Sequence, residues 1–324
     1  MRKWIVFIVG IVLLVSGCNY TSLSVPPLEK HHVLITHIKE PMLAVVDLKK
    51  SKIIYEEVFE FNIQSLARID HHQLAVAGKL ESEVLLIDLY NGEVRTLLSP
   101  VSSVTDLFYD DAHQMLVLTD AKHNEAVLFD MDKEEIIKRI KVGSYPNSIS
   151  ADESFLYVLN GDHGTVSVID LFTYEVVRTF PVVEHPTDIV VNGRNVWVGG
   201  HGSYGELNEY VHIYDASTGK LVEKVKAGSM PIAFYTDERD EDMFVLSHGS
   251  NEMHIIDKES FRVKEKIETS DNPYYVTADE QHIYVTALDG DTLLLVDRKT
   301  YAVTEEYALQ AGPYGIVLGG RSHE

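Results

Sequence analysis

The chain has 324 residues, of which 45% are hydrophobic and 24% charged, and its formal net charge at pH 7 is −22. Such an acidic surface repels phosphate backbones and anionic headgroups, so the composition argues against a nucleic-acid partner. Two interpretations of the acidity stay open: it keeps the protein soluble, which we favour, or it attracts a cationic ligand. Cys18 is the only cysteine, which excludes an intramolecular disulfide.

Residues 1–17 have the pattern of a secretory signal peptide. A short positive start is followed by an apolar run from Trp4 to Val15. This run is shorter than the roughly 20 apolar residues that span a bilayer comfortably. A charged start, a short apolar core and small residues at the exit are typical of a cleaved export signal. We therefore expect residues 1–17 to be removed on export.

The exit of this segment, Val15-Ser16-Gly17-Cys18, resembles the lipobox of bacterial lipoproteins. The resemblance implies that Cys18 carries the lipid and becomes the first residue of the mature chain, and two acyl chains suffice for stable anchoring. We expect a protein anchored to the cell membrane and facing the extracytoplasmic side. The alternative is an ordinary signal peptide or membrane anchor with a chance cysteine. Residues 18–30 show no periodicity and are predicted to be the lipidated cysteine and its tether.

Residues 31–324 contain a repeat whose clearest sign is a short apolar run ending in aspartate. Successive aspartates are 41, 42, 40, 45, 42 and 40 residues apart. A period near 40 residues made of short β-branched runs is typical of a propeller blade of four strands. The seven aspartates are Asp47, Asp88, Asp130, Asp170, Asp215, Asp257 and Asp297. They precede turns such as DLYNGE and DASTGK, which indicates turn capping rather than catalysis.

The two ends of the repeat region are complementary. After the tether the chain begins with a second strand, HVLIT at 32–36, and it finishes with a first strand, PYGIVLG at 313–319. These pieces complete one blade only if the ring closes on itself, which also removes exposed sheet edges. The predicted fold is therefore all-β: a seven-bladed β-propeller closed by pairing of the N-terminal and C-terminal strands. The seven first strands are expected near Ser65, Asp106, Ser148, Asp188, Ala233, Tyr275 and Gly315.

The segments LYVLN, VSVID and IYVTA, with G-x-x-P before the next strand, resemble the YVTN-type repeats of bacterial and archaeal propellers. The resemblance covers residues 32–319, although WVGG at 197–200 and FVLS at 244–247 depart from the signature. The wider group includes surface-layer proteins, lactonase-like enzymes and relatives of haem-dependent enzymes. The resemblance therefore implies a fold and leaves the function open.

Candidate ligand-binding histidines follow the second strands, in turns that share one face of a propeller. His37, His201 and His248 are expected in one column directly after the strand, His163 lies further along its turn, and His185 precedes Pro186. They would serve as metal or haem ligands or as general bases. Against this, equivalent positions of different blades are expected several ångströms apart, and no HxH or HExxH spacing is present. The alternative is that these histidines simply fill polar turns.

One blade is longer than the others because of the loop HGSYGELNEY at 201–210. This loop lies on the predicted histidine face and carries Tyr204, which we include among the candidate ligand-binding residues. A lengthened loop on a repeating scaffold is a reasonable place for specificity. Equally, insertions accumulate at tolerant loop tips without any function.

The leading functional hypothesis is a non-enzymatic scaffold that binds a protein, cell-wall or small-molecule partner through this face. We assign no catalytic residue and no cofactor, we leave open whether a metal is bound, and we expect a monomer. The first alternative is an exported lactonase-like hydrolase. The second is a redox protein with a non-covalent cofactor, because the sequence lacks CxxCH and so excludes covalent c-type haem.

Overall fold

A computed structural model describes residues 22–237 and 240–320, so the predicted signal peptide and Cys18 lie outside the described residues. The described chain forms seven antiparallel sheets of four strands each. It confirms the predicted seven-bladed propeller. No helix within these ranges is long and apolar enough to cross a membrane.

The blades follow the chain, and each is given from its innermost strand outward. Blade 1 contains β28 (Pro313–Leu318), β1 (His32–His37), β2 (Met42–Asp47) and β3 (Lys52–Val58). Blade 2 contains β4 (Ser65–Arg68), β5 (Gln73–Ala77), β6 (Val84–Asp88) and β7 (Val94–Leu98). Blade 3 contains β8 (Val104–Asp110), β9 (Met115–Asp120), β10 (Glu125–Asp130) and β11 (Glu135–Lys141). Blade 4 contains β12 (Pro146–Ala151), β13 (Phe155–Asn160), β14 (Thr165–Asp170) and β15 (Glu175–Pro181).

The remaining blades repeat this pattern. Blade 5 contains β16 (Pro186–Asn192), β17 (Asn195–Gly200), β18 (Tyr210–Asp215) and β19 (Leu221–Lys226). Blade 6 contains β20 (Pro231–Tyr235), β21 (Asp242–Ser247), β22 (Glu252–Asp257) and β23 (Val263–Glu268). Blade 7 contains β24 (Pro273–Ala278), β25 (His282–Ala287), β26 (Thr292–Asp297) and β27 (Val303–Ala308).

The ring closes as the sequence predicted. In blade 1, β28 pairs with β1 in antiparallel register, with Val317 opposite Leu34 and Ile316 opposite Ile35. Each innermost strand also contacts the innermost strand of the next blade, including β28 against β4. The first and last strands are thus held in one sheet, and no edge remains open between the first and last repeats.

Burial explains why the strands adopt this arrangement. The second and third strands of each blade are almost wholly buried, whereas the fourth strands alternate or are exposed. Seven clusters of buried apolar side chains fill the seven spaces between neighbouring blades. Each fully buried Val, Leu, Ile or Phe contributes about 1.5–3 kcal/mol relative to an exposed one. Packing between blades, rather than within one blade, therefore stabilises the ring.

The repeated aspartates cap the turns between third and fourth strands. Oδ1 of Asp170 accepts the backbone N–H groups of Phe172 and Thr173 at 2.9 and 2.7 Å. Asp297 accepts those of Lys299 and Thr300 in the same way. Such side-chain bonds replace the backbone partners that a tight turn lacks. The predicted capping role is confirmed at these positions.

Residues 22–30 form no strand, yet they lie on the propeller. The N–H of Leu23 donates to the carbonyl of Gly92 at 2.8 Å. The side chains of Leu23 and Val25 are 5% and 6% exposed and pack into the cluster between blades 1 and 2. This segment runs along the face formed by the connections between first and second strands and between third and fourth strands. We call it the bottom face, and the opposite one the top face.

Candidate functional site

The top face is built from the connections that enter each innermost strand and from the turns after each second strand. Four residues that precede a strand-opening proline have left-handed backbone: Tyr145, His185, Met230 and Asn272, with φ of 56°, 47°, 54° and 57°. Their carbonyls accept the N–H of the residue following the second strand, at 2.8 to 3.2 Å. These four residues consequently border the mouth of the central channel. For a non-glycine residue this backbone costs roughly 1–2 kcal/mol.

Three predicted histidines meet where blades 5 and 6 adjoin on this face. The rings of His201 and His248 have centroids 5.1 Å apart and are inclined by 51°, so neighbouring blades bring them into contact. The N–H of His201 donates to the carbonyl of His185 at 3.0 Å. Burial lowers the pKa of His201, and the imidazoles of His248 and His185 lower it further. His201 is therefore neutral at pH 7.

Two glycines make this meeting possible. A Cβ at Gly200 would lie 2.4 Å from the carbonyl oxygen of His185, and one at Gly199 would lie 2.3 Å from the carbonyl oxygen of Pro231. Any larger residue would push the connections of blades 5 and 6 away from β17. The WVGG departure from the repeat signature thus has a structural cause, since glycine marks the close approach of another backbone.

His248 is held in one orientation by a chain of polar contacts across three blades. Its Nδ1 lies 3.0 Å from Oδ1 of Asn272, and Nδ2 of Asn272 donates to Asp289 at 2.9 Å. Lys39 in turn lies 3.2 Å from Asp289. Because the amide nitrogen of Asn272 faces a carboxylate, its oxygen faces His248, and Nδ1 of His248 carries the proton. Nε2 is then an acceptor, and it is buried without a partner among the described residues.

His37 does not share the column of His201 and His248. It is the last residue of β1 and pairs with Pro313, as Gly200 pairs with Pro186 and Ser247 with Pro231. The expected register was therefore wrong by one residue, because β1 extends through His37 instead of ending before it. The His37 side chain is 1% exposed, and Nδ1 lies 3.2 Å from the carbonyl of Met42. Burial lowers its pKa, so it is a neutral residue of the interior of blade 1.

The other two candidates lie apart from the cluster. Nδ1 of His163 accepts the N–H of Ser144 at 3.2 Å, and this histidine lines a groove of about 530 Å³ that also includes Lys141 and Thr179. Tyr204 is fully exposed within the lengthened loop. The structure brings together His185, His201 and His248, and leaves His37, His163 and Tyr204 outside.

Inside the channel lie two carboxyl groups to which the sequence analysis gave no role. Oδ2 of Asp106 accepts the N–H of Ile149 at 2.8 Å, and Oδ2 of Asp188 accepts that of Phe234 at 2.9 Å. The hydroxyl of Ser148 donates to Oδ1 of Asp188 at 2.7 Å. Each aspartate thereby joins the innermost strand of its own blade to the innermost strand of another blade. The repeat alignment had placed both residues in the first-strand column, which is the signal that marks them.

Their surroundings favour the protonated state. Burial raises the pKa of Asp106 to about 8, with a further contribution from the charge of Asp188. Burial likewise raises the pKa of Asp188 to about 6. Both side chains keep partial access to the channel. Two carboxyl groups in one channel resist ionising together.

Tyrosines surround the channel mouth above these acids. The rings of Tyr274 and Tyr314 lie 5.0 Å apart, and burial raises the pKa of both. On the opposite side, Nζ of Lys79 donates to the hydroxyl of Tyr145 at 2.7 Å. The mouth thus offers aromatic faces beside hydrogen-bonding groups, a combination typical of ligand sites.

Within the described ranges, one group of three residues brings metal-ligating atoms within 4.8 Å of one another: His31, His32 and Asp47. This group lies on the bottom face, away from the predicted histidines. The top-face cluster has two imidazoles in contact and a third one nearby. Among the described residues, no carboxylate lies close enough to these imidazoles to form a second group of this kind.

No protein-family model matches the chain, and no curated protein matches it. Solved structures match its fold. The dihydro-heme d1 dehydrogenase NirN, solved in complex with DHE, aligns with a TM-score of 0.65 over 92% of this chain and 77% of that chain, at 13% identity. AztD from Citrobacter koseri aligns with a TM-score of 0.62 over 90% and 98% of the two chains, at 11% identity.

A computationally designed protein, Ika8, aligns as well as these natural ones, with a TM-score of 0.67 over 90% of this chain and 91% of that chain, at 13% identity. At such identities the likeness establishes the architecture, and one architecture serves many functions. The chain is a seven-bladed propeller scaffold. Its function has to be argued from its own side chains.

Proposed function

We propose that the protein is a membrane-anchored extracytoplasmic lipoprotein that binds its partner on the top face, over the cluster of His185, His201 and His248. The YVTN-type repeat supplies the scaffold, and the partner is a protein, a cell-wall component or a small molecule. The proposal does not require catalysis. Neither a nucleophile with an adjacent base nor a bound cofactor is part of it.

The observation that carries the proposal is the acceptor nitrogen of His248. Nε2 is buried without a partner among the described residues, while Nδ1 is fixed by Asn272. Leaving a buried acceptor unpaired costs about 1–3 kcal/mol. A partner that displaces the groups covering Nε2 and donates a hydrogen bond to it recovers this free energy, and the neutral ring of His201 beside it supplies a second acceptor or a contact surface.

The chemistry of the rim indicates what such a partner carries. Asp271, Asp289 and Asp291 lie in the neighbouring top-face connections, and the whole chain has a net charge of −22. Amines in their protonated ammonium form donate hydrogen bonds and are also attracted by this negative potential. A partner that presents amino groups therefore fits the cluster better than an anionic one.

Retention of envelope components tests the binding site. The lipoprotein is solubilised in detergent, immobilised, and exposed to solubilised envelope extract from the producing cells, and retained components are identified by mass spectrometry. We expect one component that H201A/H248A retains at least about tenfold less than wild type does. The matched control is H123A, since His123 also lies in a top-face turn but is bound to Asp120 of its own blade. Equal retention by all three proteins would reject the site.

A coloured purified protein, or hydrolysis of a lactone that the double variant loses, would instead favour a redox protein or a hydrolase.

Anchoring is tested separately. Cys18→Ala is expected to abolish palmitate labelling and to release the protein from the membrane fraction, because no acylated residue remains. Membrane retention of this variant at wild-type level would show that the apolar run at 4–15, rather than a lipid, holds the protein.

A further inference from the structure

On the bottom face, two adjacent histidines and a buried aspartate converge. Nε2 of His31 lies 3.7 Å from Oδ1 of Asp47, and Nε2 of His32 lies 3.6 Å from Oδ2 of the same carboxylate. These distances are too long for hydrogen bonds. They are close to the roughly 3.3 Å that separates ligand atoms around a tetrahedral Zn²⁺ with bonds of about 2.0 Å. The side chains of His32 and Asp47 are 7% and 0% exposed, and that of His31 is 16% exposed.

We propose that His31, His32 and Asp47 form a binding site for a divalent transition-metal ion, with Zn²⁺ as the expected occupant. Two imidazole nitrogens and one carboxylate oxygen are a donor set that zinc accepts, and a fourth position is left for water or a partner's ligand. The harder cations Mg²⁺ and Ca²⁺ prefer sites made of oxygen atoms.

The second nitrogen of each ring has an oxygen acceptor near it, as metal-binding histidines usually do. Nδ1 of His32 lies 3.2 Å from the carbonyl oxygen of Pro27, and Nδ1 of His31 lies 3.5 Å from Oε2 of Glu29. With its proton on Nδ1, each ring directs the lone pair of Nε2 toward Asp47. Outer contacts of this kind orient ligating histidines in metal sites generally. The N–H of Glu29 also lies 3.2 Å from Nδ1 of His32, and metal binding would select the tautomer that donates to Pro27.

A cation already approaches this carboxylate. Nζ of Lys50 lies 2.7 Å from Oδ2 of Asp47, and the lysine side chain is 61% exposed. The position therefore attracts positive charge, and an exposed lysine can turn into solvent when a metal takes its place. Lys50 therefore competes with the metal for Asp47. A variant without this lysine should bind the metal more tightly, and this expectation tests the proposal.

Blade 7 supplies the internal comparison. His282 lies opposite Asp297 just as His32 lies opposite Asp47, so a histidine facing the capping aspartate recurs in the repeat. Gln281 stands there where blade 1 has His31, and Asp297 is only partly buried. The site of blade 1 differs by its second imidazole and by the cover that residues 27–32 place over Asp47. A bound metal would fasten this N-terminal segment to the blade that closes the ring.

The experiment measures Zn²⁺ binding to the full chain in detergent by equilibrium dialysis and by calorimetry. We expect one Zn²⁺ per chain, and we expect His31→Ala to weaken binding by more than about 100-fold, since losing a ligand costs more than losing an outer contact. His282→Ala is the matched control and should bind as wild type does. Lys50→Gln should bind more tightly than wild type. Co²⁺ provides a second readout, because its visible spectrum reports nitrogen and oxygen ligands and should be lost in His31→Ala.

Both readouts separate this site from the top-face cluster. H201A/H248A should leave Zn²⁺ stoichiometry and affinity unchanged, so failure of the proposed partner site and failure of the metal site are independent results. The proposal is overturned if wild type binds no stoichiometric Zn²⁺, if His31→Ala binds as wild type does, or if H201A/H248A abolishes the binding. Asp47→Asn serves as the second ligand variant, with circular dichroism to confirm its fold.

Discussion

Single carboxyl groups illustrate how one residue type takes opposite roles in this repeat. Asp170 and Asp297 cap exposed turns, and their hydrogen bonds lower their pKa values. Asp106 and Asp188 join innermost strands inside the channel, and burial raises their pKa values. The capping role was predictable because the aspartates recur at one position of the repeat. The channel role was not, because burial beside a second acid arises only when the ring closes and brings blades 3 and 5 around one axis.

The pH dependence of folding stability tests whether Asp106 is protonated in the folded protein. Its folded-state pKa of about 8 lies above the ordinary value of 3.8, so the folded protein binds more protons than the unfolded chain in this window. The resulting stability is present below pH 4 and is lost as the pH rises toward 8. We expect the free energy of unfolding of the wild type, relative to that of Asp106→Asn, to fall by at least about 1 kcal/mol between pH 5 and 8.5. The variant is the reference because the lowered pKa values of buried histidines such as His37 and His201 act in the opposite direction below pH 7 in both proteins alike.

Urea unfolding at a series of pH values measures this dependence. Asp170→Asn is the control. The pKa of Asp170 is lowered in the folded protein, so this residue changes the free energy of unfolding only at acidic pH. If Asp106→Asn follows the wild-type pH profile, Asp106 is ionised throughout the range.

The N-terminal segment shows how a stretch without secondary structure can belong to the fold. Leu23 and Val25 pack against blades 1 and 2, and Gly92 has φ of 75° in the turn that receives Leu23. A Cβ at Gly92 would lie 1.8 Å from the carbonyl oxygen of Leu23. Only glycine satisfies both the backbone angle and the contact.

Gly92→Ala is accordingly expected to release this segment. We expect a loss of about 2–4 kcal/mol, which combines the backbone penalty with the exposure of buried apolar side chains. Urea unfolding measures the loss, and limited proteolysis should detect new cleavage between residues 22 and 28. Gly193→Ala is the matched control, since Gly193 has φ of 56° and open space around it. Equal losses in the two variants would mean that the Leu23 contact contributes nothing.

Most strands and their order could be predicted from the sequence, and the positions that were predicted wrongly or not at all have physical causes. Seven aspartates and five strand-opening prolines mark the blades because turn capping and a missing N–H are local requirements. The one-residue misplacement of His37 arose because a strand end depends on its partner, here Pro313 at the other end of the chain. The contact between His201 and His248 depends on Gly199 and Gly200 in the neighbouring backbone, so no single repeat reveals it.

At the scale of the whole molecule, closure of the ring gives the last strand, β28, neighbours on both sides, as the innermost strands of the other blades have. β28 lies between β1 and the innermost strands of the neighbouring blades. Val317 is 3% exposed and packs between blades 1 and 2, in the same cluster as Leu34. The last strand of a fold normally frays when few contacts hold it. Here the ring supplies contacts on both sides.

Val317→Ala should therefore behave as a core substitution. We expect a loss of about 2 kcal/mol of unfolding free energy, and we expect the amides of β28 in the wild type to exchange as slowly as those of β13. Hydrogen exchange followed by mass spectrometry measures both strands. Val303→Ala on the outer strand of blade 7, where the side chain is 49% exposed, should change stability by less than about 0.5 kcal/mol. Rapid exchange throughout β28 in the wild type would contradict closure.

The docking of Leu23 also sets how the propeller would stand on a membrane. Residues 19–22 alone separate Cys18 from Leu23, and fully extended they reach at most about 18 Å. A lipid on Cys18 would then keep Leu23, and with it the bottom face, within about 18 Å of the anchored cysteine. The bottom face, with the imidazoles of His31 and His32, would rest near the headgroups, and the histidine cluster of the top face would look outward. Partners arriving from outside would then meet the top face first, whereas a metal bound to the bottom face would lie between the propeller and the bilayer.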